Sequence, residues 1–173
     1  SPGDVVLDPF AGRGTTPFQA LLMDRRALAV DINPVAYCIT RAKTDAPTLA
    51  ALRRRITVLE NQFAARDFSE TESAEFFEHA FHPETLAQLC FLRQHLNWRR
   101  SGIDAMVAAL ILGILHGESE RSARYLSNQM PRTVSTKPAY SVRFWKERGH
   151  TAPKRNVFER LRNESSFRYE SGV

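Results

Sequence analysis

The apolar positions change character along the chain. In the first fifty residues they fall in short unbroken runs. Residues 4–8 (DVVLD) form one such run, bounded by Pro2-Gly3 and Pro9. Its β-branched, non-alternating character predicts a buried strand of a parallel sheet. Residues 27–31 (ALAVD) predict a second buried strand, ending in an acid. Between them lie a glycine-rich turn, residues 10–16 (FAGRGTT), and a stretch of helical composition, residues 19–24. Asn33-Pro34 then turns into a helix over residues 35–43. Strand, glycine loop, helix, strand, helix is the opening of a nucleotide-type βαβ fold.

Beyond residue 46 the spacing becomes helical. Leu49, Leu52, Ile56, Leu59 and Phe63 place one apolar stripe on a helix over residues 47–66, with Pro47 suited to its first turn. Residues 72–80 are acidic and predict a short element. Leu86, Leu89, Cys90 and Leu96 mark a helix over residues 83–98, with Cys90 as a small core residue. Residues 103–116 are apolar nearly all round and predict a buried central helix. Gly113 offers close packing there, and His116-Gly117 a C-terminal cap. A short helix over residues 157–162 is expected to end the ordered part, before a loose polar tail over residues 165–173. The fold class is therefore α/β: a Rossmann-like βαβ portion, residues 1–46, followed by a mainly helical region, residues 47–120, and a third region, residues 121–173. Two strands are too few for a doubly wound sheet, so the domain is expected to be incomplete.

Charge sets the third region apart. The net charge is +5 over 173 residues. Residues 1–50 balance five Lys/Arg against five Asp/Glu, and residues 51–120 carry seven against ten. Residues 121–173 carry twelve against four. There Arg121, Arg124, Arg132, Lys137, Arg143, Lys146, Arg148, Lys154 and Arg155 alternate with Tyr125, Tyr140, Phe144 and Trp145. Two readings stand: cations on phosphates with aromatics on bases, or an arm packed by its aromatics onto the helices. Residues 127–136 (SNQMPRTVST) are polar and loop-like, a substrate-facing candidate. The triplet Arg53-Arg54-Arg55 reads as a solvated face or a DNA-facing patch. Cys38 and Cys90 make no disulfide framework, His79, His82, His95 and His116 lack metal-ligand spacing, and no apolar run reaches membrane-spanning length. A cytoplasmic protein without a metal or a membrane partner is the expectation.

The candidate chemistry lies at the start. Gly12 and Gly14 let the backbone bend and approach a ligand without a Cβ clash. The loop feeds a helix N-terminus, whose free N–H groups favour negative charge. Asp31 closes the second strand, where α/β folds bind ligands and where a carboxylate can accept both hydroxyls of a ribose. Pro17 stands where a dinucleotide fingerprint needs its third glycine, and no P-loop lysine follows.

DPFAGRGTT followed by ALAVDINPVA resembles the cofactor-binding motif pair of the amino-group (adenine-N6 or cytosine-N4) DNA methyltransferases. Asp8 to Thr16 matches the first motif throughout, and Asp31 with Asn33-Pro34 the second. Gln19-Ala20 replaces the Glu-Ala frequent in that family. The resemblance covers about fifty residues. It implies S-adenosyl-L-methionine as cofactor, surrounded by Asp8, Phe10, Gly12 and Gly14. Thr15 and Thr16 would contact its amino-acid end, Asp31 its ribose and Ile32 its adenine. DNA is the implied substrate, methylated site-specifically on an exocyclic amine.

The family's catalytic loop, an Asp/Ser/Asn-Pro-Pro-aromatic tetrapeptide, is missing. None of the nine prolines precedes another. The nearest sequence, Lys137-Pro138-Ala139-Tyr140, has a lysine, which cannot accept a hydrogen bond from an amine. No catalytic residue is assigned, and the chain is expected to be an inactive fragment whose partner is the rest of the enzyme. The alternatives are an RNA guanine-N2 methyltransferase and a non-catalytic nucleic-acid-binding module.

Overall fold

The computed structural model describes residues 1–65, 74–118, 122–130 and 137–170. It is mixed α/β and mostly helical, with a two-stranded parallel sheet. Its order is β1 (Val5–Asp8), α1 (Thr15–Leu22), β2 (Arg26–Ala29), α2 (Pro34–Thr44), α3 (Leu49–Ala64), α4 (Glu75–Ala80), α5 (Pro83–His95), α6 (Gly102–Ile114), α7 (Pro138–Glu147) and α8 (Val157–Glu170). The chain forms two compact units. One comprises residues 1–55 and 96–109, the other residues 56–95 and 110–173.

In the first unit, β1 and β2 pair in parallel with Val5 opposite Arg26 and Asp8 opposite Ala29. The expected strands are present, but they are not buried. Val5, Leu7, Leu28 and Val30 are all more than half exposed. With side chains alternating along each strand, these four share one sheet face. Helix α1 packs against both strands and α2 against α1. The apolar pattern of strands destined for burial on both sides is there, and one side has no cover among the described residues.

Local chemistry fixes the helix starts. Asn33 caps α2, its Oδ1 accepting the Val35 N–H at 2.9 Å, with Pro34 at the first helical position. Cys38 is buried on α2, and burial raises its thiol pKa, so it stays protonated and inert. The buried Asp104 on α6 accepts Arg55 Nε at 2.7 Å and the Asn97 N–H at 2.8 Å. Arg55 is thus a structural cation, while Arg53 and Arg54 are exposed.

The second unit holds the large side chains. Phe91, Leu92, Leu126, Trp145, Val157, Phe158 and Leu161 are essentially inaccessible. Ile56 and Leu59, from the predicted stripe of α3, are fully buried, as is Leu52 of the same stripe within the first unit, and Cys90 is a buried core residue. Some expectations change. Helix α6 ends at Ile114, and the carbonyls of Ile114 and Leu115 accept the N–H groups of Leu126 and Ser127. Gly117 is therefore not a helix cap; the Tyr125 ring lies so close that a Cβ there would meet it at 2.4 Å. Gly113 makes no tight helix contact, its nearest neighbour being Arg168 Nη2 at 3.7 Å. Helix α8 continues to Glu170, with Glu164 and Ser165 buried, instead of stopping near residue 162. Burial of one side of the helix outweighs its polar composition.

Candidate cofactor site and the basic region

The glycine loop is built by three hydrogen bonds. Ala11 N–H donates to Val30 O at 3.0 Å, and Gly14 N–H to Ala11 O at 2.8 Å. Gly12 N–H donates to Asp31 Oδ2 at 2.7 Å. The loop that follows β1 is therefore tied to the acid that follows β2. Gly12 and Gly14 have φ of +52° and +75°, the left-handed region that glycine enters without Cβ strain. Gly14 is required twice over: a Cβ there would lie 2.6 Å from Thr40 Oγ1 and 2.9 Å from Thr40 Cα. At Gly12 the nearest atom to a Cβ is Phe10 O at 3.8 Å, so the space above it is open.

Asp31 has a second partner, the Asn33 N–H, on Oδ1 at 2.8 Å. The Asn33 N–H, then the Gly12 N–H, stabilise the carboxylate and lower its pKa below the ordinary 3.8. Each carboxylate oxygen carries two lone pairs, so each can still accept one further donor. Asp8, the last residue of β1, uses Oδ1 to accept the Phe10 N–H at 3.1 Å, stabilising the turn. Thr15 and Thr16 are the first two residues of α1 and are exposed. Phe10 is 88% exposed, which removes its alternative role as a core aromatic. Ile32 is fully exposed.

Sequence reasoning did not single out the supports of this loop on α2. Thr40 Oγ1 donates to Gly12 O at 3.4 Å, and Lys43 Nζ donates to Arg13 O. Nothing in their residue types marks these two. Their only signal is position, three residues apart on the helix that follows the acid. Lys137-Pro138-Ala139-Tyr140 is exposed and opens helix α7, with Lys137 as its cap residue, so it is a helix start and not a loop.

The basic region is extensively paired. Arg124 meets Glu164 at 2.6 Å, Lys154 meets Glu84 at 2.6 Å, and Lys146 meets Glu75. Arg143 and Arg148 both approach Glu147. Trp145 is fully buried and donates its indole N–H to Gln129 O, so it is a packing residue and offers no face to a base. Phe144 and Tyr140 lie under the guanidinium groups of Arg148 and Arg143, at 4.2 and 5.6 Å. Ser127, Asn128 and Gln129 are buried; Asn128 Nδ2 donates to His79 O and His150 O. That half of the polar segment is an internal strut, not a substrate-facing loop. Arg66, residues 72–73, Arg121, Arg132 and the rest of the segment at 131–136 lie outside the described residues.

A parallel strand–glycine loop–helix–strand unit with an acid after the second strand is an arrangement in which α/β folds bind ligands. The family model described as DNA methylase, of the N6/N4 type, matches residues 1–41, the span of this unit. The match supports a methyltransferase in general, and with it a DNA substrate for the family. No curated protein and no solved structure matches the chain. Among the described residues, no helix is long and apolar enough to cross a membrane.

Proposed function

We propose that this chain is the cofactor-binding portion of an S-adenosyl-L-methionine-dependent DNA methyltransferase acting on the exocyclic amine of adenine (N6) or cytosine (N4). The observation that carries the reading is the Asp31 carboxylate, held by Gly12 and Asn33 at the end of β2 with acceptor capacity left on both oxygens. Two ribose hydroxyls need that pair of acceptors. The Gly12–Gly14 backbone and the exposed start of α1 suit the charged amino-acid end of the ligand. Phe10 and Ile32 are open apolar side chains suited to a flat purine. Asp8 shapes the turn that carries Phe10. Thr15 and Thr16 add hydroxyls at the helix start. The residues present thus fit the cofactor, which supplies an electrophilic methyl group when bound.

The open sheet face supports the reading of a fragment. Val5, Leu7, Leu28 and Val30 have the composition of strands covered on both sides, and further chain of the same enzyme would cover them. The polar group that accepts from the target amine belongs to that remainder.

Calorimetry with S-adenosyl-L-methionine or its demethylated product tests the site. Wild type is expected to bind and to melt at a higher temperature with ligand. Asp31→Ala is expected to lose about 1–3 kcal/mol of binding. Equal binding by the variant removes Asp31 from the site. Labelled-methyl transfer to DNA by the isolated chain is expected to be absent; transfer above a no-enzyme control would place a catalytic group within it.

A further inference from the structure

Helix α8 presents a cation without a counter-charge to a cavity. The cavity measures about 370 Å³ and is lined by Ser122, Arg124, Arg160, Asn163, Glu164 and Phe167 among others. Arg160, Asn163, Glu164, Phe167 and Arg168 follow one another at intervals of three, one, three and one residues, a single helical face. Glu164 is buried and is shared by two guanidinium groups, Arg124 Nε at 2.6 Å and Arg168 Nε at 3.8 Å. Arg160 has no carboxylate partner among the described residues, and its Nε is buried without an acceptor. Two guanidinium groups share the Glu164 carboxylate, and Arg160, which lines the same cavity, adds a further positive charge.

The remaining lining is specific in kind. Phe167 is 54% exposed, with the Arg124 guanidinium over its ring at 5.9 Å. Asn163 contributes an amide and Ser122 a hydroxyl, uncharged groups that can hydrogen-bond a heteroatom edge. The Arg160 guanidinium lines the cavity, and its planar fork matches a phosphate. A flat aromatic next to that fork suits a base.

We propose that this face of α8 binds one nucleotide unit of a nucleic-acid strand, with the phosphodiester on Arg160 and the base against Phe167. The inference extends the nucleic-acid half of the functional reading above. It places the contact on Arg160 instead of on the cations of α7, of which Lys146 meets Glu75 and Arg143 shares Glu147 with Arg148. A phosphopeptide would meet the same cation but has no planar base for the ring and amide.

The test is fluorescence anisotropy of the full chain with a short labelled single-stranded DNA over a series of salt concentrations. Arg160→Ala is expected to weaken binding about 5–10-fold and to flatten the log–log salt slope by about one unit. Phe167→Ala is expected to weaken it about fivefold or more while leaving the slope unchanged. Arg160→Lys keeps the charge and so the slope, but loses affinity with the fork. This variant separates a phosphate contact from a folding defect, which melting curves of each variant also detect. Adenosine monophosphate is expected to compete and a phosphoserine peptide to fail. Wild-type affinity and slope in Arg160→Ala, or competition by the peptide alone, overturns the proposal. Asp31→Ala is expected to leave strand binding unchanged, so failure of the cofactor site and failure of this site are read separately.

Discussion

The βαβ stretch and the helical unit spend their apolar side chains in opposite ways. In residues 1–37 most of the large ones face solvent: Leu7, Phe10, Leu22, Leu28, Val30 and Ile32 are each more than half exposed. What that stretch buries is small, chiefly Ala11, Ala20 and Ala36. The helical unit buries Trp145, Phe91, Phe158 and a set of leucines and leaves few large apolar groups outside. Buried area is the main favourable contribution to folding, so the helical unit carries most of this chain's own stability. The βαβ unit carries the recognisable chemistry on a sheet with one face open among the described residues. Motif density and core completeness lie in different places.

The sharpest way to break that comparison is at Trp145. It is fully buried, its ring lies 5.6 Å from that of Phe76, and its indole N–H has an acceptor in Gln129 O. Trp145→Ala removes the packing and orphans the carbonyl, and is expected to cost about 3–5 kcal/mol. Urea unfolding followed by circular dichroism measures it. A loss below about 1 kcal/mol would show that the helical unit is not the stable half.

Next in size is Gly14. A side chain there combines φ of +75° with a Cβ 2.6–3.0 Å from Thr40. Gly14→Ala is expected to destabilise the βαβ unit by about 1–3 kcal/mol and to abolish cofactor binding. Hydrogen exchange at the amides of Ala11 and Gly14 reports it locally. Because the strain is confined to one unit, protection around Trp145 is expected to persist.

The legible parts of the sequence were those in which residue identity is forced. Asp8, Gly12, Gly14 and Asp31 stand where a turn or a strand end admits few residue types, and the structure joins Gly12 to Asp31 through one hydrogen bond. Helix α3 was legible because five apolar positions share one period. Exposure of the strands was not legible: an unbroken apolar run states what a strand is suited to, not whether its partner is in the same chain. Ser127–Gln129 misled because polar residues read as surface, although Asn128 is buried with its amide bonded to two carbonyls. In the basic region net charge counts cations without their partners, and Glu75, Glu84 and Glu147 are supplied from elsewhere in the sequence or the same helix. Conversely, no residue type marks Arg160; only the structure shows that its Nε has no acceptor.

A smaller effect is expected from acid. The Asn33 and Gly12 N–H groups hold the Asp31 pKa below its ordinary 3.8. A depressed folded pKa means that the stabilisation is fully present above 3.8 and is lost as pH falls through the folded value. The loop is therefore expected to be intact at neutral pH and to release its Gly12 contact only in strong acid. Amide chemical shifts of Gly12 and Asn33 should titrate together, with a midpoint below 3.8. A midpoint above that value would mean that these hydrogen bonds do not form in solution.

The smallest effect sharpens the comparison most. Leu7 and Leu28 are opposite one another on the open sheet face, 64% and 59% exposed. Replacing both with serine removes little buried area from this chain, so each change is expected to alter its stability by less than about 0.5 kcal/mol. The same side chains, once covered, would be worth about 1.5–3 kcal/mol each. The isolated chain and a longer enzyme containing it should therefore respond differently to one double variant. The isolated wild-type chain should also self-associate as its concentration rises, because a contiguous apolar face in water lowers its free energy by pairing. Sedimentation velocity over a concentration series reads this directly, and Leu7→Ser/Leu28→Ser should keep the chain monomeric at concentrations where wild type is not. A large stability loss in the isolated double variant would mean that the face is already covered in solution, and the contrast between an open βαβ unit and a closed helical one would fail.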